Sequence, residues 1–399
     1  MAFLSSRVGR IKASPSNLAA QRARELKAAG RDIVNLGQGE PDFPTPGHVI
    51  EAAHRAMLAG QTRYTTVDGT PELKAAVIEK FARENGLAFK ADNITVGTGG
   101  KQVIFNALMA TLDPGDEVII PAPYWVSYPD MVLFADGTPV RVATRPGNGL
   151  KMAPEELEAA ITARTKWLIL NSPSNPCGTT YSAEELKGLA GVLERHRQVW
   201  VLSDDMYEHI LFDGRRFATM AEVAPQLAAR TLTVNGVSKA YAMTGWRIGY
   251  AGGPAEIIRA MGKMQSQSTS NPSSVSQAAA VAALTGPQDI VRARCAEFEA
   301  RRDRFHPRLN AIPGLTCDKP PGAFYLFPSC AGLIGKRTPQ GKTLSNDEDV
   351  ALHLLDAGVA LVHGAAYGTS PYFRVSFATS IDTLDEACRR IGGAFSHLT

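Results

Sequence analysis

The sequence predicts an α/β protein whose central sheet is mostly parallel and is flanked by helices. Between residues 90 and 250, short β-branched runs alternate with segments of helical periodicity, which is typical of βαβ units. The chain has 399 residues, of which 44% are hydrophobic, so it is long enough for one large core or for two unequal domains. Size and pattern together favour an enzyme-sized α/β fold.

Six short apolar runs of the central part are predicted to be strands. Their bounds are 94–96, 117–120, 166–170, 199–202, 231–234 and 247–250. Between the third and fourth runs, Ser182 and Glu185 have the spacing of a helix capping box. Apolar residues then follow at helical spacing: Leu186, Leu189 and Leu193. We expect a crossover helix there, because parallel strands need a long connection.

The two ends of the chain predict a second, smaller α+β domain built from both termini. The N-terminal part contains one predicted helix and a Gly/Pro-rich passage, and the C-terminal part mixes helix with short strands at 323–327 and 373–377. The expected large domain is therefore 46–295. The expected small domain combines 1–45 with 296–399.

The bulk composition limits the possible partners. The 42 basic and 39 acidic residues nearly balance, so neither nucleic acid nor an anionic membrane surface is an expected partner. No stretch reaches the roughly 20 apolar residues of a membrane span, and the N-terminus lacks the apolar core of a signal peptide, so we expect a cytoplasmic protein. The five scattered cysteines form no C-x-x-C pair, which favours reduced thiols over a disulfide framework or a zinc site.

Ligands of open α/β sheets bind beyond the carboxyl ends of the strands, so the residues after each predicted strand are candidates for a site. After the first strand, a glycine-rich turn at 97–101 opens a helix. Its amides and the helix N-terminus are suited to a phosphate, although a purely structural turn is equally compatible. After the third strand, the prolines of 171–178 rigidify the loop around Asn175, and a simple turn is again an alternative.

The fourth predicted strand ends at Asp204. A carboxylate at the mouth of a buried strand needs a cationic or proton-donating partner, because an unpaired buried charge is costly. Asp204 is therefore a candidate for binding a charged ligand atom. The alternatives are a helix N-cap, or a metal site that also uses Asp205, Glu208 and His209.

The fifth predicted strand leads to Lys239. A lysine just past an apolar strand is poorly solvated, which lowers the pKa of its amine and permits Schiff-base chemistry. Arg247 starts the next predicted strand, where its guanidinium could hold a phosphate by two hydrogen bonds. A surface position would be the ordinary interpretation of an isolated Ser-Lys pair.

Several further motifs occur in order along nearly the whole chain. They are Gly39-Glu-Pro-Asp42, Tyr64, Gly69-x-Pro-Glu-Leu73, Pro123-Tyr-Trp125, Asn175-Pro-Cys-Gly178, Asp204-x-x-Tyr207, Ser238-Lys239, Ala242-Met-Thr-Gly-Trp-Arg247 and Phe373-Arg-Val-Ser376. This set resembles the class I aminotransferases of pyridoxal-phosphate (PLP) fold type I. More closely, it is similar to the bacterial aspartate aminotransferases of subgroup Ib.

The resemblance implies how the chain binds PLP. Lys239 would form the imine to the cofactor and then move a proton at the substrate α-carbon, and Asp204 would keep the pyridine nitrogen protonated. Further cofactor contacts are implied for the phenolic oxygen (Tyr207, Asn175), the ring face (Trp125) and the phosphate (Gly99, Gly100, Lys101, Ser238, Arg247). Tyr64 would reach into the other subunit's site of a homodimer.

The resemblance also implies how the substrate is held. Arg374 would pair with the α-carboxylate, because a guanidinium fork fixes the orientation of that group as a lysine cannot. The implied supporting contacts are Asn175, Trp125 and the backbone of Gly39. For the distal carboxylate, the implied residues are Lys101 and a hydroxyl of Ser14 or Ser16. Lys12 matches a position linked in some relatives to accepting prephenate, and a solvated lysine on an N-terminal arm is the alternative there.

The function implied by the resemblance is amino transfer in amino-acid metabolism. The amino group would move from L-aspartate, or a similar dicarboxylic amino acid, to 2-oxoglutarate in a ping-pong cycle. An aromatic or prephenate/glutamate aminotransferase, a PLP-dependent β-lyase and a non-enzymatic PLP-binding regulatory domain are the alternatives. The expected partners are amino-acid and 2-oxo-acid substrates and a second copy of the chain, and no metal is expected.

Overall fold

A computed structural model describes residues 3–399, apart from the side chains of Ser16 and Asn17. The strands in this part of the chain are β1 (Val34–Asn35), β2 (Ile94–Gly97), β3 (Glu117–Ala122), β4 (Thr138–Ala143), β5 (Thr165–Asn171), β6 (Trp200–Asp204), β7 (Thr231–Gly236), β8 (Gly249–Gly252), β9 (Tyr325–Leu326), β10 (Val359–Ala360), β11 (Val362–His363) and β12 (Phe373–Ser376).

The same residues form helices around these strands. The helices are α1 (Ser6–Arg10), α2 (Pro15–Ala28), α3 (Gly47–Leu58), α4 (Pro71–Asn85), α5 (Gly100–Thr111), α6 (Tyr128–Phe134), α7 (Pro154–Ala160), α8 (Ala183–Arg195), α9 (Met220–Val223), α10 (Ala255–Ser266), α11 (Ser274–Thr285), α12 (Asp289–Asn310), α13 (Asp347–Asp356) and α14 (Ile381–Ser396). No helix of the described residues is long and apolar enough to span a bilayer.

The central sheet has seven strands in the order β2-β8-β7-β6-β5-β3-β4. The pairs from β4 through β7 are parallel, and β8 alone is antiparallel to both of its neighbours. The predicted mostly parallel sheet with flanking helices is therefore confirmed. Its parallel strands point their carboxyl ends to one edge, where β2, β5, β6 and β7 each lead into a predicted site segment.

Two details of the predicted strands were wrong. The sequence pattern predicts no strand at β4, because this edge strand is half exposed and Pro139 interrupts its apolar pattern. Arg247 is predicted to start the sixth strand, but β8 begins only at Gly249. Arg247 ends a 3₁₀ turn and has a left-handed backbone with φ 58°, so it cannot extend the strand.

Helix α8 is the predicted crossover between β5 and β6. The Ser182 side chain accepts a hydrogen bond from the backbone of Glu185, whose own side chain returns to the Ser182 backbone, so the capping box is present. Leu186, Leu189 and Leu193 are buried in one apolar cluster with residues of β5 and β6. The helix thus covers one face of the sheet and holds β6 in the position that carries Asp204.

Segments from both termini pack together beside the central sheet. β1 pairs with β10 in parallel, and β9, β12 and β11 form a small antiparallel sheet. The predicted strands at 323–327 and 373–377 are found there, the first reduced to the two residues of β9. The domain boundaries at residues 45 and 295 stay a prediction.

Candidate active site

A cavity of about 750 Å³ lies at the carboxyl edge of the central sheet. Loops after β2, β5, β6 and β7 form its floor, and residues 37–40 together with Arg374 of β12 form another wall. The predicted site residues that line it are Gly39, Gly100, Lys101, Trp125, Asn175, Asp204, Tyr207, Ser238, Lys239, Arg247 and Arg374. Residues more than three hundred positions apart in sequence, such as Gly39 and Arg374, therefore meet in one cavity.

Lys239 is the nucleophilic candidate of this cavity. Its Nζ donates a hydrogen bond to the Gly39 carbonyl at 2.6 Å and lies 5.7 Å from the centre of the Tyr207 ring. Burial, reinforced by the positive charge of Arg374, lowers the pKa of this amine to about 8, although Glu40 opposes the shift. A useful fraction of the amine is therefore neutral near pH 7, as attack on a carbonyl requires.

Asp204 is buried at the end of β6. The Tyr128 hydroxyl donates to its Oδ2 at 2.5 Å and the Met206 amide donates to its Oδ1 at 3.3 Å. Burial raises the pKa of this carboxyl, while the Tyr128 hydrogen bond acts in the opposite direction. Asp204 makes no ion pair with any described residue, and the chain continues into turns, so the helix N-cap alternative is wrong. A ligand that brings a proton donor or positive charge would complete this site.

Two hydrogen-bond donors flank the space between Lys239 and Asp204. The Tyr207 hydroxyl lies 2.7 Å from the Tyr325 hydroxyl, and burial raises the pKa of Tyr207 well above its ordinary value, so this phenol stays neutral. The Asn175 amide nitrogen of the backbone donates to Asn171 Oδ1 at 2.8 Å, which holds the proline-flanked loop in place. The Asn175 side chain itself accepts from Arg374 at 2.9 Å, so both side chains have a protein partner before any ligand enters.

Arg374 is a buried cation without a carboxylate partner among the described residues. Only 2% of its surface is exposed. One guanidinium nitrogen donates to Asn175 Oδ1 at 2.9 Å, a second donates to the Gly37 carbonyl at 2.6 Å, and Nε has no partner. The guanidinium also stacks on the Tyr325 ring at 4.6 Å. A buried guanidinium with an unused N–H is suited to an anionic ligand.

The glycine-rich turn and Arg247 form a second anion-binding region. Gly99 precedes α5 with φ +84°, and a Cβ there would lie 2.2 Å from Arg247 Nη2. A Cβ at Gly100 would lie 2.5 Å from the Met206 side chain. The free amides of the α5 N-terminus and the guanidinium thus face one space, which is the arrangement that binds phosphate. Arg247 has a left-handed backbone with φ 58°, and its Nη2 donates to the Thr98 carbonyl at 3.3 Å, next to Gly99.

Lys101 lies at the edge of the cavity, with its Nζ 4.9 Å from the centre of the Trp125 ring. Burial and the neighbouring Arg247 lower the pKa of Lys101. Trp125 itself is half-buried, and it packs edge-on against Tyr128 with 5.3 Å between the ring centres. Trp125 also lines the cavity, so it can contact a ligand there.

Three predicted site residues are not part of this lining. Gly99 packs behind Arg247, and Tyr64 is 90% exposed on the chain surface. Lys12 lines an adjoining pocket of about 490 Å³, which Ser14 and Lys101 share with the main cavity. The side chain of Ser16, the other predicted hydroxyl, lies outside the described residues.

The structure also adds residues that the sequence did not suggest. Tyr128 and Tyr325 each contact a predicted site residue that is distant in sequence, and no motif links them. Asn171, in the predicted loop 171–178, accepts from the Asn175 amide and donates to the Asp204 carbonyl. The proposed metal set around Asp204 is not assembled, because Asp204 faces the cavity. Of that set, only Glu208 and His209 lie close together, with Glu84, and Lys80 forms an ion pair with this group.

Comparisons with known proteins agree with this geometry. Residues 31–391 match the family described as aminotransferase class I and II. The chain is 59% identical over 392 residues to an aspartate/prephenate aminotransferase of Cereibacter sphaeroides, covering 98% of each sequence. It is 57% identical over 395 residues to an aspartate aminotransferase of Rhizobium meliloti, covering 99% of this chain and 96% of the relative.

Solved structures extend the similarity to the whole fold. The crystal structure of an aspartate aminotransferase from Rhizobium meliloti superimposes with a TM-score of 0.97 at 56% identity, over 100% of both chains. An aspartate aminotransferase from Thermus thermophilus with maleate gives a TM-score of 0.92 at 44% identity, over 99% of this chain and 100% of the other. On these grounds the chain belongs to the class I and II aminotransferase family, and its fold is PLP fold type I.

Proposed function

We propose that the protein is a PLP-dependent aminotransferase that moves the amino group of L-aspartate, or of a similar dicarboxylic amino acid, to 2-oxoglutarate. One observation carries this proposal: a single cavity joins a lysine of lowered pKa, a buried unpaired carboxylate and a buried unpaired guanidinium. Relatives at 57% and 59% identity are named for aspartate as a substrate.

The donor set fits PLP. When bound, PLP supplies an aldehyde that forms an imine with an amine, and a ring that accepts the electrons released at the substrate α-carbon. The Gly99 amide donates to the Gly97 carbonyl at 2.8 Å, so the amides of Gly100 and Lys101, the guanidinium of Arg247 and the hydroxyl of Ser238 would hold the phosphate. Asp204 would pair with the ring nitrogen, which gives this buried carboxylate the charge partner that it otherwise lacks.

The chain's remaining groups would act on the substrate. Arg374 and Asn175 would hold the α-carboxylate, and Nε of Arg374 supplies an N–H that no described residue uses. Lys239 would take the α-proton on its Nζ and return it, which suits an amine whose pKa is about 8. Tyr207 would donate a hydrogen bond from a hydroxyl that stays protonated. Lys101 and Ser14 would face the distal carboxylate.

A single-turnover screen tests the proposal. PLP-loaded protein is mixed with aspartate, glutamate or tyrosine without any 2-oxo acid, and the absorbance of the aldehyde form is followed. We expect aspartate to convert the cofactor to its amine form, and 2-oxoglutarate to reverse the change. Pyruvate and ammonia released with an unchanged cofactor would instead indicate a β-lyase. A cofactor unaffected by every amino acid would refute the proposal.

A second candidate activity is favoured by the adjoining pocket. Its walls include Phe105, Met131 and Phe134, and Lys12 stands at its edge, so a ring-bearing side chain with a carboxylate fits its chemistry. The Cereibacter sphaeroides relative is named for both aspartate and prephenate. Faster single-turnover conversion with arogenate than with aspartate would make the prephenate reaction the main one.

We further propose a homodimer in which Tyr64 contributes to the other subunit's site. Tyr64 is almost fully exposed, and α3 also exposes the apolar side chains of Ile50, Met57 and Leu58. Apolar surface grouped in this way is typical of an interface. Sedimentation of the purified protein tests the dimer, and Tyr64→Phe tests its role through PLP affinity.

The rate at which the cofactor-free protein captures PLP should depend on the pKa of Lys239. Only the neutral amine attacks an aldehyde, so the rate should rise with pH and level off above about 8. Stopped-flow absorbance between pH 6 and 10 measures this dependence. Nα-acetyl-lysine is the control, because its only amine is the side-chain amine, with a pKa of about 10.4. A protein whose rate keeps climbing in parallel with Nα-acetyl-lysine would contradict the lowered pKa.

Gly99→Ala should weaken PLP binding, because the added Cβ collides with the Arg247 guanidinium 2.2 Å away. Gly30→Ala is the control, because Gly30 also has a positive φ (+83°, against +84° at Gly99) but its added Cβ meets nothing within 4 Å. Both variants should lose stability, and Gly99→Ala should lose more, because φ +84° with ψ 159° is a region that only glycine readily adopts. Only Gly99→Ala should raise the Kd for PLP, measured by fluorescence. Equal Kd values would argue against Arg247 as a phosphate ligand.

A further inference from the structure

A buried ion pair lies behind the turn that carries Asp204 and Tyr207. Lys80 on α4 is 0% exposed, and its ammonium contacts the carboxylate of Glu208. Its Nζ also donates to Asn85 Oδ1 at 2.8 Å, and Asn85 Nδ2 donates to Glu208 Oε2 at 2.8 Å. These three side chains close a ring of contacts between α4 and the residue next to Tyr207.

The turn after β6 has two faces. Asp204 and Tyr207 line the cavity, whereas Asp205 and Glu208 are buried outside it. The backbone folds into successive tight turns, with the Glu208 amide donating to the Asp205 carbonyl at 3.0 Å and the Ile210 amide donating to the Tyr207 carbonyl at 2.8 Å. Turns this short have little intrinsic stability, so side-chain contacts must hold their position.

The charges on the rear face are arranged around Glu208. Burial, and then the negative charge of Glu208, raises the pKa of Asp205 to about 8, so Asp205 is mainly protonated at pH 7. Glu208 pairs with Lys80, and the ring nitrogen of His209 lies 3.5 Å away. Glu84 is a more distant neighbour of Lys80, at 3.6 Å. Lys80 is therefore the principal buried cation that faces the turn.

A buried ion pair gives a core no special stability, because apolar residues of similar volume are often as stabilising. A charged and hydrogen-bonded contact does, however, fix one alignment of α4 relative to the turn after β6. We infer that Lys80 and Glu208 are positioning residues, whose contact fixes the turn so that Asp204 and Tyr207 stay aimed into the cavity. The inference rests on the proposed function, in which these two side chains bind the cofactor.

The test compares Lys80→Met with the control variant Arg302→Met. Arg302 is also a fully buried basic residue, but its carboxylate partners Asp213 and Asp303 lie outside the cavity. Both variants should unfold at lower temperature. Only Lys80→Met should increase amide hydrogen exchange across residues 204–210 of the cofactor-free protein. This readout does not involve PLP, so it decides the inference even if the proposed function is wrong.

With PLP bound, Lys80→Met should also weaken cofactor affinity by roughly tenfold to a hundredfold, the range seen when contacts that support metal ligands are removed. The pH midpoint of the bound cofactor's absorbance should shift, because Asp204 and Tyr207 would no longer be held in place. The double variant Lys80→Met/Glu208→Leu should recover thermal stability without recovering that midpoint.

Two results would overturn the inference. One is unchanged exchange across 204–210 in Lys80→Met. The other is a wild-type absorbance midpoint in the double variant, which would mean that any well-packed contact supports the turn. A kcat that falls while KM for aspartate stays constant would agree with a displaced Asp204 and Tyr207, because neither is proposed to bind the substrate carboxylates.

Discussion

Replacing Lys239 with alanine is expected to reduce the single-turnover rate with aspartate by at least roughly 10²–10⁴-fold, the contribution of a positioned acid–base group. In the proposed reaction, Lys239 is the group placed to move the α-proton. Its Nζ sits beside the Gly39 carbonyl and above the Tyr207 ring, and its pKa of about 8 allows it both to accept and to release that proton. The loss should appear in kcat, with little change in the affinity for aspartate.

A matched control separates this effect from a general loss of charge. Lys166 is a partly exposed lysine paired with Asp116 at 2.8 Å outside the cavity, so Lys166→Ala should keep full activity. Borohydride reduction should leave a pyridoxyl group on Lys239 of the wild type and none there in Lys239→Ala. Ethylamine should restore part of the activity to the alanine variant, since it can enter the vacated space. An alanine variant with wild-type turnover would remove the basis of the catalytic assignment.

The sequence was sufficient for those parts of the fold that depend on local pattern. Buried parallel strands such as β5 and β6 are continuous apolar runs, and the capping box and leucine spacing of α8 predict a helix. The sequence does not predict β4, because an edge strand needs no continuous apolar run. The sequence predicts Arg247 in a strand because its left-handed backbone leaves no mark on the local composition.

The candidate site could be predicted only where its residues occur in short motifs. Lys239, Asp204 and Arg374 each follow or lie in a recognisable segment, and the structure brings them into one cavity. The hydrogen bond from Tyr128 to Asp204 and the contact between Tyr207 and Tyr325 join residues that are far apart in sequence. Such contacts depend on how the elements pack, and a single sequence holds no local signal for them.

Arg374→Met is expected to lower kcat/KM for aspartate by roughly thirtyfold to several thousandfold, which corresponds to about 2–5 kcal/mol for removing one partner of a buried charge pair. Arg374 is almost fully buried, it stacks on Tyr325, and its Nε has no partner among the described residues. An α-carboxylate would give this buried guanidinium the anionic partner that it lacks among the described residues. The kcat/KM of Arg374→Lys should lie between those of the wild type and Arg374→Met, because lysine keeps the charge but lacks the planar pair of donors.

The comparison of aspartate with β-alanine identifies which substrate group Arg374 binds, because β-alanine is aspartate without its α-carboxylate. The wild type should strongly prefer aspartate, and Arg374→Met should lose most of that preference by slowing aspartate alone. Arg294→Met is the control, because Arg294 is also buried and also stacks on an aromatic ring, that of Phe43, but lies outside the cavity. The ratio of the rate with aspartate to the rate with β-alanine should be the same in Arg294→Met as in the wild type. If Arg374→Met slowed both substrates equally, Arg374 would act on the shape of the cavity and the α-carboxylate would need another partner.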